Sequence, residues 1–142
     1  MNLRVATIED IKLVTDMALK FAHSSPYKKY IEDSVVEEKV NDLLMGPTNE
    51  KIVLLYQDLG MLAGIKTKFT YGTIPLAVET AWWVEPDQRG QKAGGELRKA
   101  FEYWASQVDC SLVVLSCLDD EVGKYYERNG YGLYERAYMK EL

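Results

Sequence analysis

The chain has 142 residues, 47% apolar and 27% charged, a composition ordinary for a soluble globular protein and enough for one domain, residues 1–142, with its own core. Its 17 basic and 22 acidic side chains leave a net charge of −5, which argues against an extended nucleic-acid surface. Cys110 and Cys117 fall outside any C-x-x-C spacing and His23 is the only histidine, which argues against a metal site and a disulfide framework and points to a reducing cytoplasm.

Met1–Asp10 is charged and lacks the apolar stretch of a signal peptide, and no run is apolar for long enough to span a bilayer, so no membrane association is expected. Leu3–Ala6 reads as an opening strand. Thr7 then caps a helix over Ile8–Phe21, with Glu9 and Asp10 at its positive end and Ile11, Val14, Ala18 and Phe21 on one face. Ala22–Tyr30 is a loop. Asp33 or Ser34 caps a second helix, which carries Val36, Val40, Leu43 and Leu44 and stops near Gly46–Pro47.

The period then changes from helical to extended. Ile52–Gln57 and Met61–Lys68 form a hairpin about Asp58–Gly60, and Leu76–Val84 is a nearly continuous apolar strand that suits the middle of a sheet. Helical spacing returns over Gly94–Val108 through Leu97, Phe101, Trp104 and Val108. Leu112–Leu115 is a strand, Asp120–Asn129 a short helix, and Tyr131–Leu142 one bent strand or two. The order β-α-α-β-β-β-α-β-α-β(β) makes an α/β layered domain, in which Leu76–Val84, its following helix and Leu112–Leu115 form a parallel crossover.

The chemistry concentrates in Glu85–Leu97, EPDQRGQKAGGEL, where a strand ends, a glycine-bearing turn follows and a helix begins. Glycines admit a ligand close to the backbone, and a helix start offers free N–H groups and a positive dipole end, so the turn suits an anion. An ordinary strand-to-helix turn reads the same way. No Gly-Lys-Ser/Thr and no G-x-G-x-x-G is present, which excludes the ATP P-loop and the dinucleotide fingerprint. Upstream, Glu79 interrupts an apolar strand. A desolvated carboxylate there suits a general base for an ammonium substrate; a carboxylate paired with Lys or Arg at the open end of the sheet is the alternative. Arg98, Lys99 and Lys92 offer positive charge to phosphates or form a solvated helix face. Trp82 and Trp83 point to opposite faces of the sheet. Neither cysteine has a histidine close in sequence, which disfavours a Cys-His hydrolase.

Arg89-Gly90-Gln91-Lys92-Ala93-Gly94 resembles the coenzyme A loop of the GCN5-related N-acetyltransferase (GNAT) superfamily, Gln/Arg-x-x-Gly-x-Gly/Ala, and departs from it at Lys92, where glycine is usual. ETAWWVEP before the loop resembles the family's splayed fourth strand, and GKYYERNGY at Gly123–Tyr131 its tail motif. The resemblance covers essentially the whole chain and implies a mixed, mostly antiparallel sheet of six to seven strands with helices on both faces. It also implies acetyl-CoA as cosubstrate, held by Arg89, Gly90, Gln91, Lys92, Ala93, Gly94 and Gly95, with a backbone N–H freed by a bulge at Trp83 or Val84. Asp119 stands where many members have a cofactor-contacting asparagine. Tyr126 is placed as the acid that protonates the departing thiolate, and Glu79 or a linked water as the base.

The loop with His23, Tyr27 and Tyr30 is placed on the acceptor side, and the acceptor is a small-molecule or protein amine. The C-terminal strands are of the kind that often form a homodimer. The implied reaction is direct transfer of acetyl to a primary amine, with no covalent acyl-enzyme. A non-catalytic CoA-binding or interaction module on the same fold is the second reading, motivated by Lys92 and Asp119.

Overall fold

A computed structural model describes residues 2–142. The chain opens with β1 (Leu3–Val5), and Thr7 leads through a 3-10 turn, Ile8–Asp10, into α1 (Ile11–His23). The first turn expected to be α-helical is thus wound tighter, with the Asp10 carboxylate accepting the Thr7 N–H at 2.9 Å and gripped by Arg4 at 2.7 and 2.8 Å. A second 3-10 turn, Lys28–Tyr30, precedes α2 (Asp33–Leu44). Next come β2 (Lys51–Tyr56), β3 (Gly60–Lys68) and β4 (Pro75–Val84). The 3-10 turn Pro86–Gln88 leads to α3 (Lys92–Gln107), which starts two residues before the expected Gly94; β5 (Leu112–Val114) and α4 (Asp120–Arg128) complete the order.

The strands lie in sequence order in one sheet, antiparallel from β1 to β4, with β5 parallel to β4 as the crossover requires. Alternation along the strands feeds two cores. Val53, Leu55, Met61 and Ala63 face α1 and α2, where Val14, Met17, Ala18 and Val40 meet them. Ile52, Leu54, Leu62 and Ala77 face α3, which supplies Leu97, Phe101 and Trp104. Full burial of a side chain such as Phe101 is worth roughly 1.5–3 kcal/mol, and α3 holds its place through three such residues. The Trp104 indole N–H also donates to the Thr48 carbonyl at 2.7 Å.

The strand count differs from expectation. The sheet has five strands, because the segment from Tyr131 to Leu142 forms none. A strand exists only by pairing, and among the described residues no backbone hydrogen bond joins residues 132–142 to another segment. Leu133, Tyr134, Tyr138 and Met139 find no face to bury against and stay exposed. The tail is tied at its ends, through Tyr131 to Glu102 and through Glu141 to Lys29 and Tyr30. No helix among the described residues is long and apolar enough to cross a membrane.

Gly64 is where β3 passes closest to α3. A Cβ there would stand 2.3 Å from the Phe101 ring and 3.0 Å from the Val78 carbonyl oxygen. Gly64→Ala is therefore expected to destabilise the chain by about 1–3 kcal/mol, read as a drop of several degrees in Tm, because Phe101 has no free space to retreat into. An unchanged Tm would show that the α3 face is looser than this packing.

Candidate active site

Strand β4 pairs with β3 along its length but with β5 only at Leu76–Leu112, Ala77–Val113 and Val78–Val114. Beyond Val78 its other edge is open. At that point the register shifts: Ala63 faces Ala81 while Gly64 faces Glu79, which leaves Thr80 as the extra residue of a bulge. The Thr80 hydroxyl donates to the Ala63 carbonyl at 3.2 Å. The bulge lies at Thr80, three and four residues upstream of the two amides expected to be free, Trp83 and Val84. Past it, the Glu85 N–H bonds to the Leu59 carbonyl at 2.8 Å, so alternation commits the Trp83 N–H to β3 and turns that of Val84 to the open edge. Of the two amides expected in this role, only Val84 has the direction for it.

Glu79 stands at the first unpaired position of that edge, 8% exposed. Among the described residues it has no Lys or Arg partner, and its hydrogen bond comes from the Ser116 N–H, at 3.2 Å to Oε1. Burial pushes its pKa up from 4.5 to about 7, against the smaller opposing pull of that N–H. Ser116 also carries the second expected group, because the Tyr126 hydroxyl donates to its carbonyl at 2.8 Å. One backbone residue thus brings Glu79 and Tyr126 together. The Tyr126 ring stacks on Trp82 with centroids 6.1 Å apart and planes at 11°. Burial, then the nearby Glu79 charge, raises its pKa, so the phenol stays protonated at neutral pH.

The loop after β4 ends in a helix start whose first turn has no side-chain cap. Gly90 has φ +79°, a conformation that glycine alone adopts without strain. Gln91 is the N-cap of α3 but makes no side-chain cap bond, so the first-turn N–H groups are left for another acceptor. A cavity of about 520 Å³ lies against Gly90, Gln91, Lys92 and Ala93, with Tyr56 of β2 on its wall. These features fit a diphosphate. Gly94 and Gly95 sit in the same first turn, over Trp82 and the Tyr125 hydroxyl. Arg89 folds back instead of reaching out: its Nε donates to the Val84 carbonyl at 2.8 Å and its guanidinium lies 4.6 Å from the Trp83 ring centre. Glu85 pairs with Lys20 of α1 at 2.9 Å, which ties the loop entrance to that helix.

The remaining expected residues hydrogen-bond elsewhere or are exposed. Asp119 is the N-cap of α4, its Oδ1 accepting the Val122 N–H at 2.9 Å. His23 closes α1 and meets Asp33 at 2.7 Å; Tyr27 is exposed; Tyr30 donates to Glu141. Among the described residues none of these three hydrogen-bonds to Glu79, Tyr126 or the loop. Ser116 and Lys20 were passed over in the sequence, and no motif marks them, since their roles arise from backbone position and a long-range ion pair. Tyr56 is equally silent, being the last residue of an ordinary apolar strand.

No family model matches the chain, and no curated protein matches it in sequence. Solved structures do. The aminoglycoside N-acetyltransferase AAC(6')-Iy, in complex with the bisubstrate analogue CoA-S-monomethyl-acetylneamine, superposes with a TM-score of 0.79 at 11% identity, over 99% of this chain and 96% of that one. A putative acetyltransferase from Pyrococcus furiosus gives 0.75 at 20% identity, over 99% of each chain. A GNAT family acetyltransferase of Staphylococcus aureus gives 0.71 at 17% identity, over 100% of each. The chain has the GNAT acetyltransferase fold.

The buried carboxyl has a consequence for stability. Below about pH 4.5 Glu79 is protonated in the folded and the unfolded chain alike. As pH rises from 4.5 to about 7, the unfolded chain releases the proton and the folded one keeps it, so stability falls. Above about 7 the loss is complete, at about 3 kcal/mol. Glu79→Gln is therefore expected to melt several degrees above the parent at pH 8, with the difference shrinking toward pH 5. A pH-independent difference in Tm would show that the carboxyl is not desolvated.

Proposed function

We propose that the protein is an acetyl-CoA-dependent N-acetyltransferase that moves the acetyl group to a primary amine by direct attack. The observation that carries this reading is the meeting of Glu79 and Tyr126 on Ser116, at the point where β4 loses its second neighbour. A carboxyl with a pKa of about 7 and no cation partner is half ionised at neutral pH, so it can accept a proton from an ammonium, directly or through water. Tyr126, kept protonated, donates to the departing thiolate. The Val84 N–H lies on the open edge and donates to the thioester oxygen as negative charge builds there. The first-turn amides of α3 and the Gly90 bend hold the diphosphate, with Lys92 beside them.

The acceptor class follows by analogy with AAC(6')-Iy, whose bound analogue joins CoA to an acetylated neamine. We place a small cationic amine here, entering between the open edge of β4 and the His23–Tyr30 segment. A protein amine is the other member of that class. The free thiols of Cys110 and Cys117 suit the cytoplasm. The exposed tail, residues 132–142, supplies the surface for a homodimer, which sedimentation at rising protein concentration would show as a shift from one to two chains.

Calorimetry should show acetyl-CoA binding, and a panel of amines should include at least one that is turned over. With that amine, kcat/KM is expected to rise with pH through one ionisation near 7. Tyr126→Phe should lower kcat by about a hundredfold while leaving acetyl-CoA affinity intact. Unchanged turnover in that variant across the alkaline range would remove Tyr126 from the mechanism. Binding without turnover of any amine would leave a CoA-binding module.

A further inference from the structure

Helix α4 carries Tyr126 but buries little of itself, because Tyr126 is its one buried side chain. What fastens it is a polar cluster centred on Arg98 of α3, which is 7% exposed. The Arg98 Nε donates to the Tyr125 hydroxyl at 3.0 Å, Nη1 to Glu102 Oε2 at 2.7 Å and Nη2 to Asn129 Oδ1 at 3.1 Å. Asn129 Nδ2 returns a bond to the Tyr125 carbonyl at 2.8 Å, and the Tyr131 hydroxyl donates to the same Glu102 oxygen at 2.6 Å. Each of the three guanidinium nitrogens therefore bonds inside the protein, so the side chain is neither the phosphate charge nor the solvated helix face that its place in the sequence allowed.

The cluster sets the walls around Tyr126. Its ring lies between Trp82 at 6.1 Å, Tyr125 at 6.0 Å and Tyr131 at 5.8 Å. Trp82 belongs to the sheet, but Tyr125 is held by Arg98 directly and Tyr131 through Glu102. Without the guanidinium, the Tyr125 hydroxyl and Asn129 Oδ1 lose their donor, and Glu102 keeps only Tyr131. The one buried contact left to α4 is then the Tyr126 ring, with Val122 and Gly123 only half-buried.

We infer that Arg98 is a positioning residue: from the helix whose first turn faces the anion site, it fixes α4 and so holds the Tyr126 hydroxyl on Ser116 beside the open edge of β4. The inference rests on the acetyltransferase reading for its consequence in turnover, though not for its geometry. It also explains why the residue is arginine. A planar guanidinium reaches three acceptors in fixed directions, and a lysine ammonium on a flexible stem does not.

The test uses the whole chain labelled with 13C at tyrosine Cζ, with the Tyr126 resonance assigned by its loss in Tyr126→Phe. In the parent, that phenol resists deprotonation beyond the ordinary tyrosine range, being buried and faced by Glu79, Cys117, Tyr131 and Tyr125. Two variants are compared: Arg98→Lys, and the pair Tyr125→Phe with Asn129→Ala, which decides the matter from the α4 side if the first does not fold. In both, the Tyr126 resonance is expected to move and its deprotonation to fall toward that of free tyrosine. With an amine the parent acetylates, kcat is expected to drop at least about tenfold while the acetyl-CoA Kd stays within about twofold. A Tyr126 resonance and titration unchanged from the parent would overturn the inference. A parent that acetylates no amine, with the resonance still moved in the variants, would instead defeat the acetyltransferase reading and leave the positioning role standing.

Discussion

The structure depends on the unequal pairing of β4. Ten residues of this strand run beside β3, and three of them also meet β5. A fully paired central strand would spend every backbone group on its neighbours and leave nothing for a ligand. Here the outer edge from Glu79 to Val84 is released, and the bulge at Thr80 falls one residue after the release begins. The extra residue increases the local twist, which is how a strand can leave one neighbour while holding the other.

The same divergence accounts for the chemistry. Beyond Val114, β5 has no partner strand, so Ser116 must satisfy its backbone with side chains. It gives its N–H to Glu79 and its carbonyl to Tyr126. The two groups meet on Ser116, where the sheet opens. Burial keeps Glu79 neutral until about pH 7, and the ionised carboxylate in turn raises the phenol's pKa. The arrangement is costly to stability, since a buried carboxyl without a cation is a standing penalty. An ion pair would relieve that penalty and pull the carboxyl's pKa back down.

Much of this was legible in the sequence. A carboxylate inside the apolar run Leu76–Val84 violates the pattern of a buried strand, and of the two readings open to it, a desolvated carboxylate or one paired with Lys or Arg, the structure has the first. The glycines after Arg89 and the helical spacing of Leu97, Phe101 and Trp104 fixed the loop and α3 almost to the residue. The tail departs from its expected strand for a physical reason: Tyr131, Leu133 and Tyr134 have strand-like character, but pairing is a property of two segments and periodicity describes one. Arg98 is neither the solvated helix face nor the phosphate charge that its sequence position allows, because it is buried. On a helix beside a phosphate-type loop an arginine looks like a ligand, and its burial depends on Tyr125, Asn129 and Glu102, of which two lie in another helix or at its end.

The two departures from the family's motifs are absorbed by local geometry. Lys92 is the first residue of α3, with its backbone in the helix, and a helical position makes no demand for glycine. The residue that does need to be glycine is Gly90, at φ +79°, which bends the chain before the helix begins. Lys92 therefore adds a positive side chain to the cavity beside Gly90 without disturbing the backbone that shapes it. Asp119, in the place of an asparagine, spends one carboxylate oxygen on the first turn of α4, where a negative charge is favoured by the helix dipole. As an N-cap, Asp119 serves the helix that carries Tyr126 as an asparagine would, with the dipole favouring its charge.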